Sequence, residues 1–240
     1  MNKKKITAIA VVVAAIAIAI VGATLAFFTD TAGELKNTFT VGDVEIKLDE
    51  YNVVTTSETE SGTVKYVTKS DGSRTEDGNT YPDIYPGAKL PKDPTVWNTA
   101  SNSVYVRMDV TITSYNIFKD IFVRHNITEP AAQKAAMAEI FPDYNPLWQR
   151  FDEVDGGTTM TYKYLWTHDG KNDNCAALAK GEKTAPIFET IVVPTWFTSK
   201  DMEDLKDGFK VTAFAYAIQA DGENNRVAQI LELKGMNASN

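Results

Sequence analysis

The sequence predicts a mainly β fold: an antiparallel jelly-roll-type β-sandwich with one or two short helical insertions, preceded by an N-terminal signal peptide. Three observations lead there. Apolar and polar residues alternate with period two in several segments, Asp-Gly dipeptides stand between them, and only two segments carry helix signals. A parallel α/β sheet would need strands and helices to alternate regularly, and they do not.

The chain opens with Lys3, Lys4 and Lys5, an uncharged apolar run from Ile6 to Val21, and a small-residue exit, Gly22-Ala23-Thr24-Leu25-Ala26. Basic, apolar and cleavable regions in that order form a signal peptide, residues 1–26. Thr24 and Ala26 occupy the two positions where a signal peptidase needs small side chains, so cleavage is expected before Phe27. A retained anchor competes with this reading, because Ile6 to Phe28 is long enough to span a bilayer at about 20 residues. The small-residue exit and the lack of a basic stop-transfer cluster favour cleavage. Residues 27–240 then form a single secreted β-sandwich domain, and the membrane is met only through the signal peptide before cleavage.

Within that domain residues 27–38 are an N-terminal extended segment. Val44, Ile46 and Leu48 alternate with Asp43, Glu45, Lys47 and Asp49, which predicts a strand with one buried face. Val104, Val106, Met108, Val110 and Ile112 form a second such set. Val211, Ala213, Ala215 and Ala217 form a third, whose opposite face carries Phe214, Tyr216 and Ile218, so both faces are expected to be covered. Further strands are expected at Thr63 to Thr68, Ile117 to Arg124, Met160 to Thr167 and Pro186 to Val193. Residues 55–80, rich in Ser, Thr, Glu and Gly, are a polar insertion or long hairpin. Residues 126–150 are a helical insertion, its helix running from Glu129 to Phe141 with Thr128 as N-cap and Pro130 in the first turn. A shorter helix, Ser199 to Asp207, is closed by Gly208. Asp71-Gly72, Asp77-Gly78, Asp155-Gly156, Asp169-Gly170 and Asp221-Gly222 are turn sites.

Charge and cysteine content narrow the function classes. The net charge is −8, and losing the leader removes three lysines and no acid. So acidic a surface repels phosphates, which argues against a nucleic-acid partner. Cys175 is the sole cysteine and cannot form an internal disulfide, so stability rests on a packed core.

Four stretches resemble the TasA/camelysin family of secreted Gram-positive proteins. They are Ala23-Thr24-Leu25-Ala26-Phe27-Phe28-Thr29-Asp30, the run from Asn37 through Gly42 to Leu48, Tyr85-Pro86-Gly87 leading to Tyr105-Val106-Arg107, and Phe209 to Gly222. The resemblance implies a jelly-roll matrix or cell-surface protein whose leader is removed by a SipW-type signal peptidase. It also implies assembly as a homo-oligomer or fibre. In that reading the segment Phe27 to Leu35, with Phe27, Phe28 and Leu35 as apolar anchors, is a candidate donor strand for the sheet edge of the next subunit.

The camelysin branch of this family also implies a metallo-endopeptidase. A catalytic zinc needs about three protein ligands, commonly two His one helical turn apart with a Glu between. The chain offers only His125 and His168, far apart and outside any such motif, so neither a catalytic nor a metal-binding residue is assigned and no cofactor is expected. Cys175 lacks a nucleophile signature in its flanks, and the Asp169 to Asp173 tip lacks the ordered ligand spacing of a calcium loop. Trp97, Trp148, Trp166 and Trp196 are expected to fill a core; two or more facing solvent on one sheet would instead indicate a glycan platform. The reading that results is a non-enzymatic structural protein of the biofilm-matrix or cell-surface fibre type, secreted to the extracellular matrix or cell surface. A camelysin-type secreted metallo-endopeptidase and a glycan-binding surface module are the alternatives.

Overall fold

In the computed structural model of the protein, the described residues are 36–38, 44–60, 63–82, 84–170, 174–206, 208–220 and 222–236. The signal peptide 1–26, its cleavage residues Thr24, Ala26 and Phe27, and the donor segment with Phe28 and Leu35 lie outside them. Among the described residues no helix is long and apolar enough to cross a membrane.

The longest alternating run becomes the middle strand of the largest sheet. The chain runs β1 Lys36–Thr38, β2 Ile46–Glu60, β3 Thr63–Thr75, β4 Lys89–Pro91, β5 Thr95–Asn98 and β6 Val104–Ile112, then α1 Tyr115–Arg124 and α2 Pro130–Ala138. β7 Trp148–Asp155, β8 Met160–Trp166, β9 Thr190–Val192, α3 Ser199–Leu205, β10 Val211–Gln219 and α4 Gly222–Gly235 complete it. The five-stranded sheet has the order β1-β10-β6-β8-β7, antiparallel except where β1 joins β10 in parallel. β10 pairs with β6 along its whole length, Val211 opposite Ile112 and Gln219 opposite Val104. A three-stranded sheet, β3-β2-β5, and a two-stranded one, β4-β9, stand apart from it.

Both faces of β6 and β10 are covered, as their side chains demand. One face, with Val104, Val106, Met108, Val110, Ile112 and the β10 alanines, packs against Leu48, Val96, Ile187, Ile191 and the helices α1 to α3. The alanines let those layers approach closely. The other face, with Tyr105, Leu165, Cys175, Tyr216 and Ile218, is covered by Ile230 and Leu233 of α4. Arg107 is buried there between Asp109 (2.5 and 2.7 Å) and the carbonyls of Leu233, Lys234 and Met236 at the end of α4. A cation at a helix C-terminus satisfies carbonyls that have no intrahelical partner and complements the negative dipole end. Burial raises the Asp109 carboxyl against the pull of Arg107.

Antiparallel sheets are present, but the architecture is mixed strand and helix. Helices fill much of the layer that a second large sheet would occupy in a sandwich. Four helices stand among the described residues where one or two were expected. The segment 117–124 is helical because Tyr115, Phe118, Ile121 and Phe122 meet the core at spacings of three and four, a period that outweighs its β-branched content. Ser114 precedes it at φ 58, a left-handed turn that sets the change of direction. Residues 222–235 read as a turn at their start, yet α4 forms because its apolar stripe closes the second core and Arg107 holds its end. The helix in 126–150 begins at Pro130 with Glu129, not Thr128, at the N-cap. Of Pro186 to Val193 only the three residues of β9 are strand.

Two details position the site described next. Tyr85-Pro86-Gly87-Ala88 is a tight turn with Gly87 at φ 84, closed by Ala88 N–H to Tyr85 O at 2.9 Å, and it aims the chain into β4. In the polar stretch, β2 and β3 form one long antiparallel hairpin, Glu50 opposite Thr75 and Glu60 opposite Thr63. Along β2, β5 pairs with Ile46 to Asp49. From Glu50 outward the hairpin is two-stranded for about 35 Å at 3.3 Å per residue.

Candidate functional site

The place where β2 leaves β5 is the most highly charged interior of the described chain. Alternation puts Asp49 on the polar face of β2, yet Asp49 and Glu50 are 2 % and 0 % exposed. Buried carboxylates require partners, and each finds a cation supplied from beyond the hairpin turn. Arg74 of β3 donates from Nε to Asp49 Oδ1 at 2.7 Å and from Nη1 to Asp93 Oδ2 at 2.8 Å. Its Nη2 reaches the Asp49 carbonyl at 3.1 Å. Its plane lies over the Tyr51 ring, 4.5 Å from the centroid. Trp97 Nε1 donates to the same Asp49 oxygen at 2.9 Å, and Lys47 lies 3.4 Å from the other.

Glu50 is held separately. Lys92 Nζ donates to its Oε2 at 2.6 Å and Asn79 Nδ2 to its Oε1 at 2.8 Å. Asn79 also donates to the Tyr51 carbonyl at 2.7 Å and accepts from Val53 N–H at 2.9 Å. It therefore bridges the bulge between Tyr51 and Val53, where the β2–β3 register shifts. Asp93 accepts from Tyr51 N–H at 2.7 Å. Burial, with Glu50 and Asp93 adding to it, pushes the Tyr81 hydroxyl above its ordinary value; it stays protonated and donates to Pro91 O at 2.5 Å. Three carboxylates thus face three cations, Lys47, Arg74 and Lys92.

The residues that sequence reasoning examined fall elsewhere. His125 follows α1, and its Nε2 lies 2.8 Å from Asp201 Oδ2, with its ring edge-on to Trp196 at 5.0 Å. Arg124 pairs with Asp201 and, at 2.7 Å, with Asp204. Asp201 is fully buried at the start of α3 and closes a capping box with Thr198. Burial would raise its carboxyl, but the Thr198 N–H and hydroxyl together with His125 outweigh that and hold it down at about 2. Both Asp201 oxygens are occupied by protein donors. Beside this cluster lies a small apolar cavity lined by Ile84, Phe118, Ile140, Ile191, Phe197 and Met202.

His168 is exposed at the end of β8. The Cys175 side chain is 1 % exposed in the second core cluster, so its thiol is packed as a small apolar group. Trp148 is fully buried and tilts against Trp166 at 5.3 Å. The exposed aromatics with described burial, Tyr51 and Tyr144, are on different elements and form no platform on one sheet face.

Among the described residues no group of three or more His, Cys, Asp or Glu could hold a metal ion. At the hairpin root the reason is visible: Arg74 and Lys92 already stand where a cation would bind the carboxylates. The root was illegible in the sequence because its charged pairs, Asp49-Glu50 and Lys92-Asp93, look like solvated residues among 32 acidic ones.

Residues 2–70 match the model of the camelysin metallo-endopeptidase family, a match that takes in β2 and the first half of β3 but not the rest of the chain. No curated protein and no solved structure matches. The expectation of a non-enzymatic protein is overturned by this match, since the segment it covers is similar to a metallo-endopeptidase family.

Two outcomes test the site. Arg74→Ala leaves Asp49 and Asp93 buried without their shared cation and is expected to cost about 3–5 kcal/mol in urea unfolding; a loss below about 1 kcal/mol would mean that the root does not hold the hairpin. The folded-state carboxyl of Asp201 lies below its ordinary value of 3.8, so its contribution is complete above that value and is lost as pH falls through about 2. The stability gap between the parent and Asp201→Asn is therefore expected to be constant near neutrality and to close below pH 4; a gap that widens on acidification contradicts the assignment.

Proposed function

We propose that this is an exported protein of camelysin type that acts outside the cytoplasm as an endopeptidase. The match of residues 2–70 to the camelysin metallo-endopeptidase family carries this reading. The apolar leader with its small-residue exit supports export, with a SipW-type peptidase cutting before Phe27 and the mature protein at the cell surface or in the surrounding matrix. The family's chemistry is metal-dependent, and the described residues do not fit a metal, so no catalytic step is assigned to His125, Asp201 or the carboxylates of the hairpin root. Those groups serve the fold: they pin β2 and β3 to β5 and join α1 to α3.

A second reading concerns assembly. Phe27 to Leu35 directly precede β1, which pairs in parallel with Phe214, Ala215 and Tyr216 of β10, and the resemblance to the TasA/camelysin family supports that segment as a donor strand for a sheet edge of a second copy in a fibre.

Casein digestion by purified protein beginning at Phe27, with and without a zinc chelator, tests the enzymatic reading. Cleavage that the chelator abolishes is expected; folded protein that leaves casein intact with zinc supplied contradicts it. For assembly, deletion of 27–35 is expected to abolish the growth in light scattering shown by the parent. Equal polymerisation of both, or none by the parent, contradicts it.

A further inference from the structure

At the hairpin root one carboxylate accepts from both a lysine amine and an asparagine amide, one on each oxygen. Glu50 is 0 % exposed and Lys92 6 %. Lys92 Nζ donates to Glu50 Oε2 at 2.6 Å, and Asn79 Nδ2 donates to Oε1 of the same carboxylate at 2.8 Å. The Asn79 carbonyl oxygen accepts from Val53 N–H at 2.9 Å, and its amide nitrogen also faces the Tyr51 carbonyl at 2.7 Å. Donor and acceptor partners together fix which end of the amide faces which neighbour. The Tyr81 hydroxyl is engaged with Pro91 and closes the same corner.

These are the parts needed to join an amine to an amide: a nucleophile, a base that touches both nitrogens, and an N–H placed at the oxygen where negative charge develops. We propose that Lys92 and Asn79 form an intramolecular amide bond in the folded protein, with Glu50 as the proton carrier. Glu50 takes one proton from the Lys92 ammonium, and the freed lone pair attacks Asn79 Cγ to form the new N–C bond. The carbonyl π electrons move to Oδ1, where Val53 N–H stabilises them. Glu50 passes the proton to Nδ2, the C=O bond reforms and the Cγ–Nδ2 bond breaks. A second Nζ proton leaves with the departing nitrogen. The lysine ammonium and the primary carboxamide become a secondary amide and an ammonium ion; charge and atoms balance, and no oxidant, reductant or metal takes part.

The fold supplies the driving arrangement. Holding amine and amide on adjacent oxygens of one carboxylate replaces a bimolecular encounter by a positioned one, which is worth several orders of magnitude in rate. The link ties the chain that follows β3 to the entry of β5, across the corner that anchors the hairpin. It is independent of the peptidase reading, which involves neither residue.

Intact-mass measurement of the purified, folded protein, followed by tryptic peptide mapping, tests this. The parent is expected to be lighter than its sequence by one ammonia. Trypsin is expected to skip Lys92 and yield a branched peptide joining residues 75–89 to 90–107. Glu50→Gln, which keeps the shape but cannot carry the proton, and Lys92→Arg are both expected to show the full sequence mass. The parent result stands even if a variant fails to fold. A folded parent at full sequence mass overturns the proposal. So does an ammonia loss confined to 75–89 with cleavage after Lys92 intact, which would mark cyclisation of Asn79 alone.

Discussion

The guanidinium of Arg74, held between Asp49 and Asp93, is the contact on which the placement of the long hairpin depends. Outward of Glu50, β2 pairs only with β3 among the described strands, and a lone two-stranded ribbon is marginal in water. Its inner end must therefore be fixed by something stronger than ladder bonds. Arg74 does this because its planar fork reaches two carboxylates and two carbonyls from one side chain, which a lysine cannot do. Its neighbours repeat the scheme: Lys92 and Asn79 hold Glu50, and Trp97 shares Asp49. The hairpin, the loop after it and β5 become one corner.

That corner explains which parts of the fold were legible. β6, β8 and β10 follow from alternation because their inner faces meet one continuous apolar core, where period two is the only pattern that works. Asp49 breaks the rule because alternation marks a solvent-facing position only when nothing covers that face, and residues 74–97 fold back over it; Glu50 is a charge on the inner face, held there by Lys92 and Asn79. The expected strand at Ile117 to Arg124 is a helix for a related reason. Ile117, Ile121 and Val123 favour a strand locally, but Phe118 meets Phe122 one turn on, as well as Phe197 and Phe209, only from a helix, and packing decides. α4 carries a weak apolar stripe, and its stability comes from Arg107, more than a hundred residues earlier in the chain. No local pattern could reveal it.

The functional evidence is distributed in the opposite way. The family match lies in residues 2–70, while the histidines that sequence reasoning weighed belong to the later part of the chain. His125 has a carboxylate partner, yet Asp201 is committed to a capping box and to Arg124, so the pair braces α1 against α3. The same saturation operates at the root, where cations occupy the space between acids. Among the described residues buried charge is paired within the chain, and it secures elements whose apolar contacts are sparse.

The central claim is that the charged root makes the hairpin and the large sheet one cooperative unit. Native-state amide hydrogen exchange tests it most directly. The amides of Leu48 to Tyr51 and of Arg74 are expected to be protected to the same free energy as those of Val106 to Val110 in β6, with protection falling away outward from Val53. Root amides that exchange as readily as Val54 to Thr56 would contradict it, because the hairpin would then open at its base without disturbing the sheet.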